Sequence, residues 1–178
     1  ANNIKTIISS TAVTSPEIMF TCKKNNVDFG LMITASHNPY FYNGVKAFQQ
    51  EGMDAEKVLT DLIEEKINSL KEYKSISLQE GIKNGYISYV DVHEDFINNI
   101  GRFLTPIKNK NIKVLIDPLF GTGSITLNHL LDLMEIKNST MINNIHDPLF
   151  GGMVPNPTKV NMLKDAEIVK NEHFDLAI

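Results

Sequence analysis

Ser36, His37, Asn38 and Lys46 crowd into the stretch LMITASHNPYFYNGVKAF, residues 31–48. A hydroxyl, an imidazole and an amine placed this close suit chemistry on phosphate. A serine oxygen can hold a phosphoryl group, and nearby cationic groups stabilise the charge on its equatorial oxygens. His37 and Lys46 can also transfer protons or contact phosphate. A serine-hydrolase reading is weaker, because adjacent Ser and His point apart in extended backbone and no G-x-S-x-G elbow surrounds Ser36. Spacing alone leaves open the plain alternative, that these are polar side chains decorating a surface loop.

The elements around the cluster must place it. The apolar run FGLMIT, residues 29–34, predicts a strand buried on both faces. Ser36 then lies just past its C-terminal end, where open α/β sheets place ligands. In the loop from Ala35 to Gly44, Pro39 biases Asn38 away from helix and Asn38 can bond nearby backbone. Asn43-Gly44 predicts a tight turn with positive φ before a strand at VKAFQ, residues 45–49. Upstream, IKTIISS (4–10) reads as a strand, and Ser15-Pro16 reads as an N-cap followed by Pro at the first helical position, opening a helix to about Asn26. Downstream, Asp54 is expected to cap a helix with Val58, Leu59, Leu62, Ile63, Ile67 and Leu70 on one face. KEYKSISLQEGIKNG (71–85) reads as connecting structure, and a domain boundary falls near residue 90, before the helix HEDFINNIGRFL.

The second half alternates. IKVLI, STMINNI and FDLAI read as strands; ITLNHLLDLM and TKVNMLKDAEIVKNEH read as helices between them. That order implies parallel strands in an open α/β layer. DPLFG occurs at 117–121 and again at 147–151, which suggests shared turn chemistry at one sheet edge rather than a repeat architecture.

The 178 residues suffice for one or two domains, with 42% hydrophobic and 21% charged residues. A net charge of -4 gives no basic stripe for nucleic acid. The single cysteine, Cys22, excludes an internal disulfide and a multi-cysteine metal cage. No apolar stretch approaches the ~20 residues of a membrane span, and no signal peptide is visible, so a cytoplasmic setting is expected. The start without Met and the stop on the strand FDLAI suggest part of a longer protein.

TASHNP followed by YNGVKAF closely resembles the phosphoserine loop of the α-D-phosphohexomutases, the phosphoglucomutase/phosphomannomutase family. VLIDPLFGTGS, DPLFGGMVPNP and FDLAI resemble that family's second domain, in order and approximate spacing. The resemblance implies an α/β fold of two consecutive three-layer α/β/α domains with mixed or mostly parallel sheets: a partial domain I over 1–90 and a truncated domain II over 91–178. It implies that Ser36 carries the catalytic phosphate and gives one phosphoryl oxygen to Mg²⁺. Lys46 becomes the candidate proton acceptor from the sugar hydroxyl, His37 assists proton transfer or phosphate contact, and Asn38 and Lys46 are the expected substrate-binding residues. The implied reaction interconverts hexose 1-phosphate and hexose 6-phosphate through a 1,6-bisphosphate, with glucose 1,6-bisphosphate as activator. Glucose or mannose is preferred over glucosamine; a non-catalytic sugar-phosphate binder of the same fold is the other reading. The family's metal-binding D-G-D-x-D-R loop and later domains do not occur in these residues, so the chain alone is expected to lack mutase activity and to bind Mg²⁺ weakly at most.

The remaining motifs read as structural. Gly121-Thr122-Gly123 lacks the third glycine of a dinucleotide fingerprint, since residue 126 is Thr. His93, His129, His146 and His173 have no metal-ligand spacing and read as surface or helix-end groups. Cys22, Met32, Met134 and Met162 read as core.

Overall fold

The first helix opens where Ser15-Pro16 predicts it, but Thr14 rather than Ser15 is its N-cap, because Thr14 is the residue that shares the Glu17 side chain. In the computed structural model, which describes residues 2–105 and 107–178, α1 spans Ser15–Asn25. The Thr14 amide and hydroxyl both donate to Glu17 Oε2, at 2.6 and 2.7 Å. This satisfies a helix-end amide that would otherwise lack a partner. Contacts divide the chain into two units, Ala1–Met32 with Lys46–Asp95 and Ile33–Val45 with Phe96–Ile178.

In the first unit, β1 (Thr6–Ser9) pairs parallel with β4 (Ile87–Val90), Thr6 opposite Ile87. The strands β2 (Phe29–Ile33) and β3 (Val45–Gln49) form a second, two-stranded sheet. Contrary to the sequence expectation, β2 is not buried on both faces. Gly30 is buried, whereas Leu31 and Ile33 are 62% and 77% exposed. The reason is that α1 covers one face only. A Cβ at Gly30 would lie 2.5 Å from Cys22 Sγ, and Ser15 Oγ donates to Met32 Sδ at 3.4 Å. Cys22 and Phe48 are core residues of this unit, at 2% and 0% exposure.

The helix α2 (Lys57–Ser69) forms, but Glu56 rather than Asp54 occupies its N-cap. Asp54 is instead bridged to Phe48 across the end of β3. None of the apolar stripe on α2 is fully buried, because periodicity shapes a helix face without supplying a neighbour to cover it. The stretch expected to be a mere connection contains α3 (Leu78–Lys83), capped by Ser77 Oγ accepting from the Glu80 amide at 3.1 Å, and leads into β4. His93 corrects another expectation. It does begin a helix, α4 (His93–Gly101), but it is buried, with Nδ1 bonded to the fully buried Glu17 Oε1. A buried carboxylate needs such partners.

In the second unit, β5 (Val114–Ile116) is flanked by β6 (Ser139–Met141) and β7 (Leu176–Ala177), all parallel, in the order β6-β5-β7. The crossovers carry α5 (Gly123–Leu133) and α6 (Leu163–Glu172). It is β5 that meets the rule for parallel strands: Val114, Leu115 and Ile116 are all buried, with Leu131 and Ile136 in the same core and Met134 packed on it. The helix expected from Thr158 begins only at Leu163. Asn161 Nδ2 donates to the carbonyls of Val154 and Asn156, at 2.9 and 2.8 Å, and holds the preceding residues as a loop. Among the described residues no helix is long and apolar enough to cross a membrane.

Candidate functional site

The loop after β2 is built from two short turns. The Asn38 amide donates to Ala35 O at 3.1 Å, and the Tyr42 amide to Pro39 O at 3.0 Å. Pro39 fixes the bend between them. The ends of the loop are joined by Thr34 N–H donating to Gly44 O at 3.0 Å. The expected left-handed turn at Asn43-Gly44 does not occur; neither residue has positive φ. The loop reaches from Ala35 to Gly44, too long to need a two-residue hairpin turn, and Asn43 Oδ1 accepts from the Gly44 amide at 2.9 Å instead. The left-handed residue is Ser36, at φ 57°.

Ser36 is exposed, as are His37 and Asn38. Ser36 Oγ lies 3.4 Å from His37 Nδ1, and the Ser36 amide donates to Thr34 Oγ1 at 3.0 Å. The objection that adjacent Ser and His point apart holds for extended backbone, and the left-handed turn at Ser36 removes it. Tyr40, Phe41 and Tyr42 follow as an exposed aromatic run, with ring centroids 5.3 and 5.0 Å apart. Lys46 stands at the start of β3, its Nζ 3.7 Å from Asp54 Oδ1. Sequence reasoning missed Thr34 and Asp54. A Thr two residues before a Ser is a side-chain-to-backbone turn signal that could have found the first; the Lys46–Asp54 pair needed the bridge between Phe48 and Asp54.

An Mg²⁺ site demands several oxygen ligands in near-octahedral geometry. Among the described residues no group of three or more His, Cys, Asp or Glu could hold a metal ion. Ser36 offers a single oxygen, so these residues do not by themselves make a complete Mg²⁺ site.

The two DPLFG stretches share their Asp turn and their left-handed Phe, although Leu119 is at φ 50° and Leu149 at φ -102°. Asp117 Oδ1 and Asp147 Oδ1 each accept from the amide two residues on, Leu119 and Leu149, both at 2.8 Å. Phe120 and Phe150 both take positive φ, 61° and 52°. The Asp117 carboxylate also accepts from Asn143 Nδ2 at 2.7 Å, and Asp147 from the Gly151 amide at 2.9 Å. These backbone bonds hold the Asp147 carboxyl below its usual range. The stretches meet where the Phe120 ring lies over Gly151: a Cβ there would be 2.7 Å from Cζ. Gly121-Thr122-Gly123 is the strand-to-helix turn expected of it. Asp165 of α6, only 7% exposed, sits against Asp117 beside a cavity of about 420 Å³ walled mainly by Leu115, Met162, Ala166 and Val169. Burial first, then the Asp117 charge, push its pKa up.

A family profile described as phosphoglucomutase/phosphomannomutase, alpha/beta/alpha domain I, matches residues 1–74, and the corresponding domain II profile matches residues 92–178. The chain belongs to the phosphoglucomutase/phosphomannomutase family. It is 30% identical over 177 residues to a phosphoglucosamine/phosphogalactosamine mutase of Sulfurisphaera tokodaii, covering 92% of this chain and 36% of that protein. Against a phosphoglucomutase of Staphylococcus haemolyticus it is 29% identical over 182 residues, covering 100% of this chain and 32% of that one. The fold matches the crystal structure of a putative phosphomannomutase from Thermus thermophilus, with a TM-score of 0.79 at 22% identity, over 93% of this chain and 36% of that structure. The chain thus spans about a third of the length of the mutases it matches.

Proposed function

We propose that the chain supplies the phosphate-carrying serine of a hexose-phosphate mutase. Ser36 Oγ attacks phosphorus of a hexose 1,6-bisphosphate; the phosphorus–oxygen bond to the sugar breaks, the departing sugar oxygen takes a proton from the Lys46 ammonium, and the Oγ proton passes to His37 Nδ1. In turnover the phosphoryl group leaves Ser36 for the free hydroxyl of a hexose monophosphate, with Lys46 accepting that hydroxyl's proton and Ser36 Oγ regaining one from His37. The bisphosphate so formed returns its other phosphate to Ser36. Phosphate thereby moves between the 1- and 6-positions. Asn38 shapes the substrate loop. Mg²⁺, with a Ser36 phosphoryl oxygen as one ligand, and glucose 1,6-bisphosphate belong to this reading as cofactor and activator. The hexose phosphate and further domains of a longer polypeptide belong to it as partners.

The exposed Ser36 hydroxyl beside His37 Nδ1, 3.4 Å away, carries the reading. A phosphoserine bears roughly -1.5 to -2 charge, so an exposed loop with an imidazole at hand is a far less costly place for it than a packed interior. Glucose or mannose is the proposed sugar. The relatives named phosphoglucosamine mutase favour hexosamine phosphate as a second reading.

The test incubates the protein at its natural length with glucose 1,6-bisphosphate and Mg²⁺ and looks by mass spectrometry for phosphate on Ser36. Phosphate there, absent in Ser36→Ala together with turnover, is the expected result. An unmodified Ser36, with Ser36→Ala turning over as wild type does, would favour the non-catalytic sugar-phosphate binder. Turnover measured separately with glucose, mannose and glucosamine phosphates decides the sugar.

A further inference from the structure

Resting on the mutase reading, the geometry points to Thr34 as a positioning residue: its hydroxyl latches Ser36 in the left-handed conformation that turns Oγ toward His37. L-residues other than glycine avoid that region because Cβ crowds the following carbonyl. Ser36 nevertheless has φ 57°, so something must hold it there. The Ser36 amide donates to Thr34 Oγ1 at 3.0 Å.

Thr34 fastens the loop at both ends. Its backbone N–H ties down Gly44 through the carbonyl, at 3.0 Å, and its side chain ties down Ser36. The residue is half-buried, in contrast to the exposed Ser36. Release of the latch lets Ser36 relax to negative φ, and in extended backbone successive side chains point to opposite sides. Oγ would then leave the neighbourhood of His37 Nδ1. The latch acts through the backbone and touches no substrate.

The test compares Thr34→Val, which keeps shape and removes the acceptor, with Thr34→Ser, which restores it. One readout is the nuclear Overhauser effect between the Ser36 amide and its own Hα, strong at positive φ, measured on this chain. The other is the rate at which Ser36 gains phosphate from glucose 1,6-bisphosphate in the protein at its natural length. Thr34→Val is expected to lose the strong Overhauser effect and to slow phosphate gain about tenfold, the size of one net hydrogen bond. Thr34→Ser is expected to keep both. A Thr34→Val chain with the Overhauser effect intact, or with that effect lost and the rate unchanged, overturns the proposal. If Thr34→Val does not fold, adding Ser36→Gly is expected to restore folding, because glycine reaches positive φ unaided; no restoration overturns the latch. Wild-type protein that gains no phosphate overturns the mutase reading itself, and the Overhauser comparison then judges the latch alone.

Discussion

The loop after β2 and the two DPLFG loops use the same backbone device for opposite ends. Each has a non-glycine residue at positive φ: Ser36 in the first, Phe120 and Phe150 in the others. In the DPLFG loops the polar side chain is spent on the loop itself. Asp117 accepts from the Leu119 amide and Asn143, and Asp147 from the Leu149 and Gly151 amides. The left-handed Phe120 then turns its ring onto Gly151. In the β2 loop the bonding is left to Thr34 and the backbone, and the left-handed residue presents a hydroxyl beside an imidazole. One design uses strain to close a fold, the other to show an atom.

The contrast can be broken most sharply by crossed substitutions. Ser36→Ala should abolish phosphate uptake while shifting unfolding free energy by less than about 0.5 kcal/mol. Asp117→Ala should do the reverse, costing about 1.5–3 kcal/mol in denaturant unfolding for its lost charged hydrogen bonds, with uptake at Ser36 unchanged. A stability loss in the first or an uptake loss in the second would merge the two classes of loop. Next in size is Gly151→Ala, where a Cβ meets the Phe120 ring 2.7 Å away on a backbone at φ +63°. About 1–3 kcal/mol is expected, read from the shift in urea midpoint.

A smaller effect tests the neighbour of Asp117. Asp165 holds its proton more tightly in the folded chain than in the unfolded one. Its contribution to stability is therefore full below the ordinary aspartate value of 3.8 and is lost as pH rises through the raised value. Asp165→Asn should flatten that loss in urea midpoints taken between about pH 3 and pH 8. Asp147 has the opposite sign. Its lowered pKa gives stability that is present above 3.8 and lost as pH falls through the lowered value. Amide exchange at Leu149 and Gly151 is the sensitive readout, expected to quicken in Asp147→Ala.

Much of this was legible in residue types. The opening of α1 at Ser15-Pro16 (to within one residue of its cap), the parallel order of β5, β6 and β7, the core place of Cys22 and the kinship of the DPLFG loops all follow from local chemistry. The string TASHNP pointed to the family directly. What was not legible depends on partners distant in sequence. A continuous apolar run such as FGLMIT reads as doubly buried, yet among the described strands only β5 is buried at every position. Glu17 and His93 each look like exposed polar residues until α1 and α4 bring them together. The strand ISYV lay hidden in polar surroundings because its partner is β1, far upstream. Ser36 at positive φ could not be foreseen from its type, which seldom adopts it; the signal lay in Thr34.

Cys22 gives the first unit a chemical clock. Its sulfur is the only thiol of the chain, is 2% exposed, and has its pKa raised by burial. Reagents attack thiolates, so alkylation waits for α1 to lift from β2. The labelling half-life, followed by mass, therefore times the opening of the helix and strand from which the serine loop departs, without any probe being engineered.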